Sequence, residues 1–350
     1  MTDNENSSGF MTRQEYEEEL LKITPEEPLM TVNGIEVCER RFKRQEYLIE
    51  GLLRPGLTVL AGSPKIGKSW LTLQMCLQVA KGEPFWGLQT RYSEVLYLAL
   101  EDSQQRLQRR MLTLTGEPPA ELHFALSCSP LDGELEKQIS YFAVNRPLTR
   151  LVAIDTFQMV RSPVRQMSYA NDYSEVSRLK SLADSLGICI LLVHHTRKMG
   201  DSDRFNEISG TNGISGSADT LMVLSKEKRT DKKALLCCTG RDIEDMELEL
   251  MMDKNSCRFK CTSPIEPMFG RALPQILKQL LDFMKVEKHF SGTNREFVGA
   301  FSSFIDEDVN MSQLSRKMSY FRYELEDRGL RFELSRTKAE RCIKLDYNED

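Results

Sequence analysis

Residues Gly62-Ser63-Pro64-Lys65-Ile66-Gly67-Lys68-Ser69 fit the pattern G-x-x-x-x-G-K-[ST], and what flanks them fixes the kind of fold that can hold them. Leu57–Ala61 is a short apolar run, as expected of a buried strand. Trp70–Ala80 carries a helical pattern, with Gly82 as its stop. A strand, a glycine-rich loop and a helix in that order make a phosphate cradle. The loop amides and the helix N-terminus present unpaired donors and a positive dipole end to an anion. Residues Gly62, Ser63, Pro64, Lys65, Ile66, Gly67, Lys68, Ser69 and Trp70 are therefore the expected nucleotide contacts. Lys68 is placed to reach the β and γ phosphates, and the Ser69 hydroxyl to complete the shell of Mg²⁺. ATP with Mg²⁺ is the expected ligand pair.

The segments that follow alternate. Glu94–Leu100, Leu151–Asp155 and Ile188–Val193 read as strands, and Gln104–Leu114 and Tyr173–Leu186 as helices, the order of a parallel sheet covered on both faces. Thr220–Leu224, Ala234–Thr239, Leu248–Met252 and Cys257–Cys261 are shorter and read as an antiparallel edge. The expected fold class is α/β. Residues 1–46 form a polar N-terminal extension, with a hairpin expected at Val32–Val37 and a disordered start, and residues 47–263 form the nucleotide-binding domain. Residues 264–350 form a linker and a small domain. There, helices over Pro274–Lys288, Thr293–Phe304 and Ser312–Asp327 precede a hairpin at Leu330–Leu334 and Arg341–Leu345, which is winged-helix order.

Carboxyl ends of strands are where ligands bind in open α/β sheets. Glu101 and Asp102 end the strand Glu94–Leu100. Glu101 is the expected base for the attacking water, with Asp102 as reserve and as cap of the next helix. Asp155 ends an apolar run and is the expected acid for the metal. No second acid follows it, so the base has to come from another strand, as Glu101 does. His194 and His195, two of the four histidines, end the strand Ile188–Val193, and His195 is the preferred γ-phosphate sensor.

The same segments in the same order resemble the RecA-like ATPases. Within these they are similar to the plasmid RepA-type hexameric replicative helicases and their relatives on mobile elements. The resemblance covers roughly residues 47–262. It implies a RecA-like P-loop core, with the catalytic acid on Glu101, the metal acid on Asp155, the sensor on His195 and a homo-oligomeric ring, of the hexameric kind, around single-stranded DNA. Replication partners are implied with it. A ring needs a cation donated across the subunit boundary, and Arg241 is the candidate arginine finger. The strand before it, around Leu221-Met222-Val223, carries no arginine where the family would have one. Two other readings stay open: a filament-forming recombination or repair ATPase, and a nucleotide-gated regulator or loader.

Two long loops leave the nucleotide side of the sheet. Thr156–Asn171 offers Arg161, Arg165 and Tyr169. Thr196–Asp219 offers Arg197, Lys198, Arg204 and Phe205, diluted by Asp201, Asp203 and Glu207. Cations that follow phosphates and rings that stack bases make both loops candidates for DNA contact. Arg316, Lys317, Arg322, Arg336, Lys338 and Arg341 make the small domain a second candidate. The net charge of −5 gives no global nucleic-acid signature. The nine cysteines show no C-x-x-C pair, and Cys257 and Cys261 lack partners for zinc. No signal peptide or membrane-spanning run is visible, so a reduced, cytoplasmic protein is expected.

Overall fold

The computed structural model describes residues 29–40, 47–161, 169–196, 203–208, 212–228, 231–243, 245–265, 273–336 and 340–348. They fall into two compact units, Met1–Arg44 and Gln45–Asp350. In the first unit a single helical turn, α1 (Gly34–Glu39), stands where a hairpin was expected. The Asn33 side chain accepts from the Glu36 amide at 3.0 Å and its own amide donates to the Glu36 carboxylate at 2.7 Å. Asn33-x-x-Glu36 is thus a helix-start signal, and it prevails over the Asn-Gly turn signal in the same residues.

The second unit is organised by a sheet of nine strands in the order β3-β2-β4-β5-β1-β6-β7-β8-β9. β1 (Gly56–Gly62) lies between β5 (Cys189–His195) and β6 (Thr220–Ser225), parallel to both. β4 (Thr149–Asp155), β2 (Glu94–Ala99) and β3 (Leu122–Ala125) continue the parallel part. β7 (Lys233–Gly240), β8 (Met246–Met252) and β9 (Phe259–Cys261) complete it as antiparallel neighbours beyond β6. Strand alternation feeds two cores. Leu57, Val59 and Ala61 of β1 join the layer containing α5 (Phe157–Val160) and α6 (Tyr169–Leu186), while Leu60 joins the layer of α2 (Lys68–Lys81). α3 (Gln104–Leu114) follows β2, and α4 (Glu134–Asn145) and the short α7 (Asn212–Ser217) pack with α6.

Residues 273–347 form a separate core around Phe297, Phe301 and Phe283. The order is α8 (Gln275–Glu287), β10 (His289–Thr293), α9 (Asn294–Ile305), α10 (Met311–Tyr320), α11 (Arg322–Glu326), then β11 (Leu330–Arg336) and β12 (Arg341–Tyr347). β12 is the middle strand of the three-stranded sheet. The expected third helix breaks in two at Phe321, whose φ of −98° and ψ of 26° leave the helical region. β10 was not expected at all.

One buried side chain ties the sheet's far edge to the helix behind the loop. Gln74 of α2 donates to the Phe259 carbonyl at 3.0 Å and accepts from its amide at 2.8 Å, and Trp86 Nε1 also donates to that carbonyl. Gln74 is 3% exposed, so losing its amide leaves a buried N–H unpaired. Gln74→Leu is expected to cost about 2 kcal/mol. In urea unfolding the midpoint should fall at unchanged slope, and an unchanged midpoint would show that the clamp carries no load.

Candidate nucleotide-binding site

The register of the parallel strands assembles the site before any side chain is considered. Ala99 is paired with Asp155, Asp155 with Val193, and Gly62 with His195. The carboxyl ends of β2, β4, β5 and β1 therefore form one line. Glu101, Asp155, His195 and the loop after Gly62 are brought together there from four separate stretches of the chain.

Two glycines let the loop take its shape. A Cβ on Gly62 would lie 2.6 Å from the Leu224 carbonyl oxygen of β6. Gly67 has φ +114°, a left-handed conformation, and a Cβ there would lie 2.8 Å from the Phe259 ring. Ser63, Pro64 and Lys65 are exposed, Ile66, Gly67, Ser69 and Trp70 are half-buried, and Lys65 also has positive φ. The Arg110 guanidinium lies 5.5 Å from the Trp70 ring centre.

Lys68 is 5% exposed, and its ammonium is folded back onto the loop. It donates to the Gly62 carbonyl at 2.6 Å and the Ser63 carbonyl at 3.1 Å, and lies 3.3 Å from His195 Nδ1. Burial lowers its pKa to about 8, with Asp155 and Glu101 pulling in the opposite direction. Burial and the Lys68 charge both lower the His195 pKa, which favours a neutral ring able to accept from Lys68. The adjacent His194 points to the other face of β5, where its ring meets Phe157 edge-on at 5.4 Å.

Asp155 is 5% exposed, and burial raises its pKa against hydrogen bonds from Ser69 and Tyr97 that lower it. The Tyr97 hydroxyl donates to Asp155 Oδ2 at 2.7 Å. An oxygen set of one carboxylate and one hydroxyl beside a phosphate cradle suits Mg²⁺, which keeps several waters and needs few protein ligands. Among the described residues no cluster of three or more His, Cys, Asp or Glu offers a metal cage, and of the cysteines Cys257 and Cys261 only Cys261 lies on a strand, β9.

Glu101 is exposed at the turn after β2, and the Thr156 hydroxyl donates to its Oε1 at 2.8 Å. Asp102 does not cap α3. Ser103 does, accepting from the Arg106 amide at 3.3 Å, because the chain turns one residue later than expected. Asp102 instead pairs with Arg110 at 2.5 Å and Arg106 at 3.3 Å. Tyr97, Thr156 and this pair were missed by sequence reasoning. A tyrosine inside an apolar strand was the one available signal, since a buried phenol needs a hydrogen-bond partner.

Arg241 is not brought to this site. β7 runs antiparallel to β6, so Arg241 lies at the edge opposite the loop, its guanidinium donating to the Gly216 carbonyl at 3.1 Å with Asp219 at 3.9 Å. Asp242 pairs instead with Arg54.

Three of the expected DNA-contacting cations are occupied. The Arg161 side chain is only 8% exposed and is bonded to Glu175 at 2.9 Å and Asp172 at 2.5 Å, so its charge is taken up within the domain. Arg204 bonds the Ser225 hydroxyl in a short 3₁₀ turn (Arg204–Glu207), and Phe205 packs on the core. Arg322 lies over the Phe332 ring at 4.0 Å. Arg316, Lys317 and Arg341 are exposed. Arg165, Arg197, Lys198, Asp201 and Lys338, and the side chains of Tyr169 and Arg336, lie outside the described residues.

A family model described as an AAA domain matches residues 24–201. The DNA repair protein RadA of Streptococcus pneumoniae (strain ATCC BAA-255 / R6) is 26% identical over 219 residues, which is 61% of this chain and 46% of that protein. The chain thus spans about half the length of that relative. Among solved structures, one described as an ATPase domain superposes with a TM-score of 0.50 at 12% identity, covering 60% of this chain and 85% of that one. A DnaB-like replicative helicase, solved in a study of its interactions with primase, gives 0.52 at 14% identity over 71% of this chain and 70% of that one. At these identities the two superpositions speak for the fold. Among the described residues no helix is long and apolar enough to cross a membrane.

The buried Lys68 has a measurable signature. Between pH 8 and 10.5 the unfolded chain holds a proton on this lysine that the folded chain has released, so stability rises with pH across that window. Below pH 8 both states are protonated and the burial cost, about 3 kcal/mol, is fully felt. Lys68→Met should therefore stabilise the nucleotide-free protein at pH 7 by up to about that amount, with the gain shrinking from pH 8 upward and vanishing above pH 10.5. A variant less stable than wild type at pH 7, by urea midpoint, would contradict this reading of the loop.

Proposed function

The chain belongs to the AAA-domain family, P-loop ATPases on a RecA-like fold, and from that membership we propose that it is a Mg²⁺-dependent ATP hydrolase acting on DNA. The observation that carries the reading is the line of strand ends that brings Lys68, Asp155, His195 and Glu101 around one glycine-rich loop.

In this reading the loop amides and Lys68 hold the β and γ phosphates, and Ser69 and Asp155 hold Mg²⁺, which supplies charge neutralisation on the phosphate oxygens. Glu101 orients the water and accepts its proton as the oxygen attacks the γ phosphorus and the bond to the bridging oxygen breaks. Lys68 leaves His195 when phosphate arrives, which frees the imidazole to contact the γ-phosphate and transmit its presence along β5. The proposed work is translocation or unwinding by a homo-oligomeric ring in the replication of a plasmid or mobile element. Single-stranded DNA would run against the loops after β4 and β5, and replication proteins are candidate partners. Residues 273–347, in winged-helix order with Arg316, Lys317 and Arg341 exposed, are proposed as a further DNA or partner contact. Arg241 is proposed as a cation for a neighbouring subunit, where it would stabilise transition-state charge. The sequence kinship with a DNA repair protein favours, as second reading, a filament-forming repair ATPase.

Steady-state ATP turnover against protein concentration, with and without single-stranded DNA and alongside light-scattering mass, tests the reading. A closed oligomer with cooperative, DNA-stimulated turnover is expected. Glu101→Gln should bind ATP yet turn over at least about a hundredfold more slowly, and mixing it with Arg241→Ala should restore part of the activity. Slow turnover by a monomer, indifferent to DNA, would instead make the ATPase a switch, and assembly whose length follows the DNA without unwinding would favour the filament.

A further inference from the structure

Thr156 occupies the residue between the metal acid Asp155 and the helical turn Phe157–Val160. It is that turn's N-cap, with extended backbone angles of φ −122° and ψ 168°. A threonine there ordinarily turns its hydroxyl onto a free amide of the first turn, and that capping bond stabilises the helix. Here the capping bond is not made. The hydroxyl donates instead to Glu101 Oε1 at 2.8 Å, fifty-five residues earlier in the chain.

The two ends of that bond differ in what holds them. Thr156 is 3% exposed and follows a strand buried on both faces, so its hydroxyl is fixed by the sheet. Glu101 is exposed on a turn beyond the end of β2, where its backbone is held by the Arg106 guanidinium on its carbonyl at 3.1 Å. A glutamate so placed has three side-chain torsions to fix before its carboxylate faces a water at the γ phosphorus. The Thr156 bond restricts them from the rigid side. It leaves Oε2 to accept the water proton, and it keeps the carboxylate within electrostatic reach of Lys68 and His195.

We infer that Thr156 is a positioning residue that orients Glu101 for proton abstraction from water. The inference rests on the hydrolysis reading above and assigns Thr156 no contact with nucleotide. Thr156 acts on the orientation of the base, not on substrate binding, so its removal should appear in kcat and not in KM. Removing the hydroxyl while keeping the β-branched shape is the sharpest perturbation available, and serine restores the donor without the methyl.

The experiment is a double-mutant cycle on ATP hydrolysis by the full chain, with wild type, Thr156→Val, Thr156→Ser, Glu101→Gln and the Val–Gln double variant, each checked by thermal midpoint. Thr156→Val should lower kcat about tenfold to a hundredfold with KM within about twofold of wild type. Thr156→Ser should recover most of that loss. In the Glu101→Gln background, measured by single turnover, Thr156→Val should cost less than about twofold, because the group it orients is gone. An equal loss in both backgrounds, a raised KM with intact kcat, or wild-type turnover in Thr156→Val would each overturn the inference. If the valine variant does not fold, Thr156→Ala carries the same cycle. A wild-type chain without ATPase activity would overturn the function reading and this inference with it, whereas normal wild-type turnover with an indifferent Thr156→Val overturns this inference alone.

Discussion

A buried ammonium to which no carboxylate among the described residues is bonded is the interaction on which the site depends. Lys68 finds its acceptors in two backbone carbonyls of its own loop and in the imidazole of His195. Gly67, at φ +114°, turns the loop into α2, and the imidazole is there because β5 lies beside β1 in register. Burial lowers the Lys68 pKa because neutral acceptors replace water around a full charge only in part. Phosphate oxygens would replace them well. An anion in the loop would therefore offer this ammonium better partners than its own carbonyls do.

Around that cation the polar side chains are arranged in two tiers. Asp155 and Glu101 face the site, and each is held by a hydroxyl fixed in the sheet: Tyr97 for Asp155, Thr156 for Glu101. Both hydroxyls are buried and belong to residues of, or directly after, parallel strands, so the rigid part of the molecule sets the orientation of its reactive part. The arginines follow a parallel logic. Arg161, Arg204 and Arg322 have basic side chains in places where nucleic acid could pass, yet each is taken up by internal partners. A guanidinium bonded to two buried carboxylates, as Arg161 is, would leave both uncompensated if it turned outward.

What the sequence made legible follows from the range of the signal. Apolar runs of five to seven residues bounded by glycine or acid revealed β1, β2, β4 and β5, and with them the loop, Asp155 and the pair of histidines. Leu122–Ala125 is four residues with a histidine in the middle, too short and mixed to stand out, and so β3 was absent from the reading. His289–Thr293 is an edge strand with mostly polar, partly exposed residues, too weak a pattern to stand out between two helices. Val32–Val37 carried two local signals, and the capping pair Asn33 and Glu36 decided between them. Asp102 and Ser103 compete for one cap, and the answer depends on where the chain leaves the strand. Tyr97, Thr156 and the placement of Arg241 were out of reach for a different reason. Each depends on which strand lies next to which and in what direction, and that is a property of the assembled sheet.

The most direct test of this account is a crystal structure of the full chain with Mg²⁺ and a non-hydrolysable ATP analogue. The account predicts the triphosphate in the loop of residues 62–69, with Lys68 Nζ moved from the Gly62 carbonyl and His195 onto the β and γ phosphates. Asp155 and Ser69 would face the metal, and Glu101, still bonded to Thr156, would face a water in line with the γ phosphorus. A nucleotide bound elsewhere, or a Lys68 that keeps its present partners with the triphosphate in place, would contradict it.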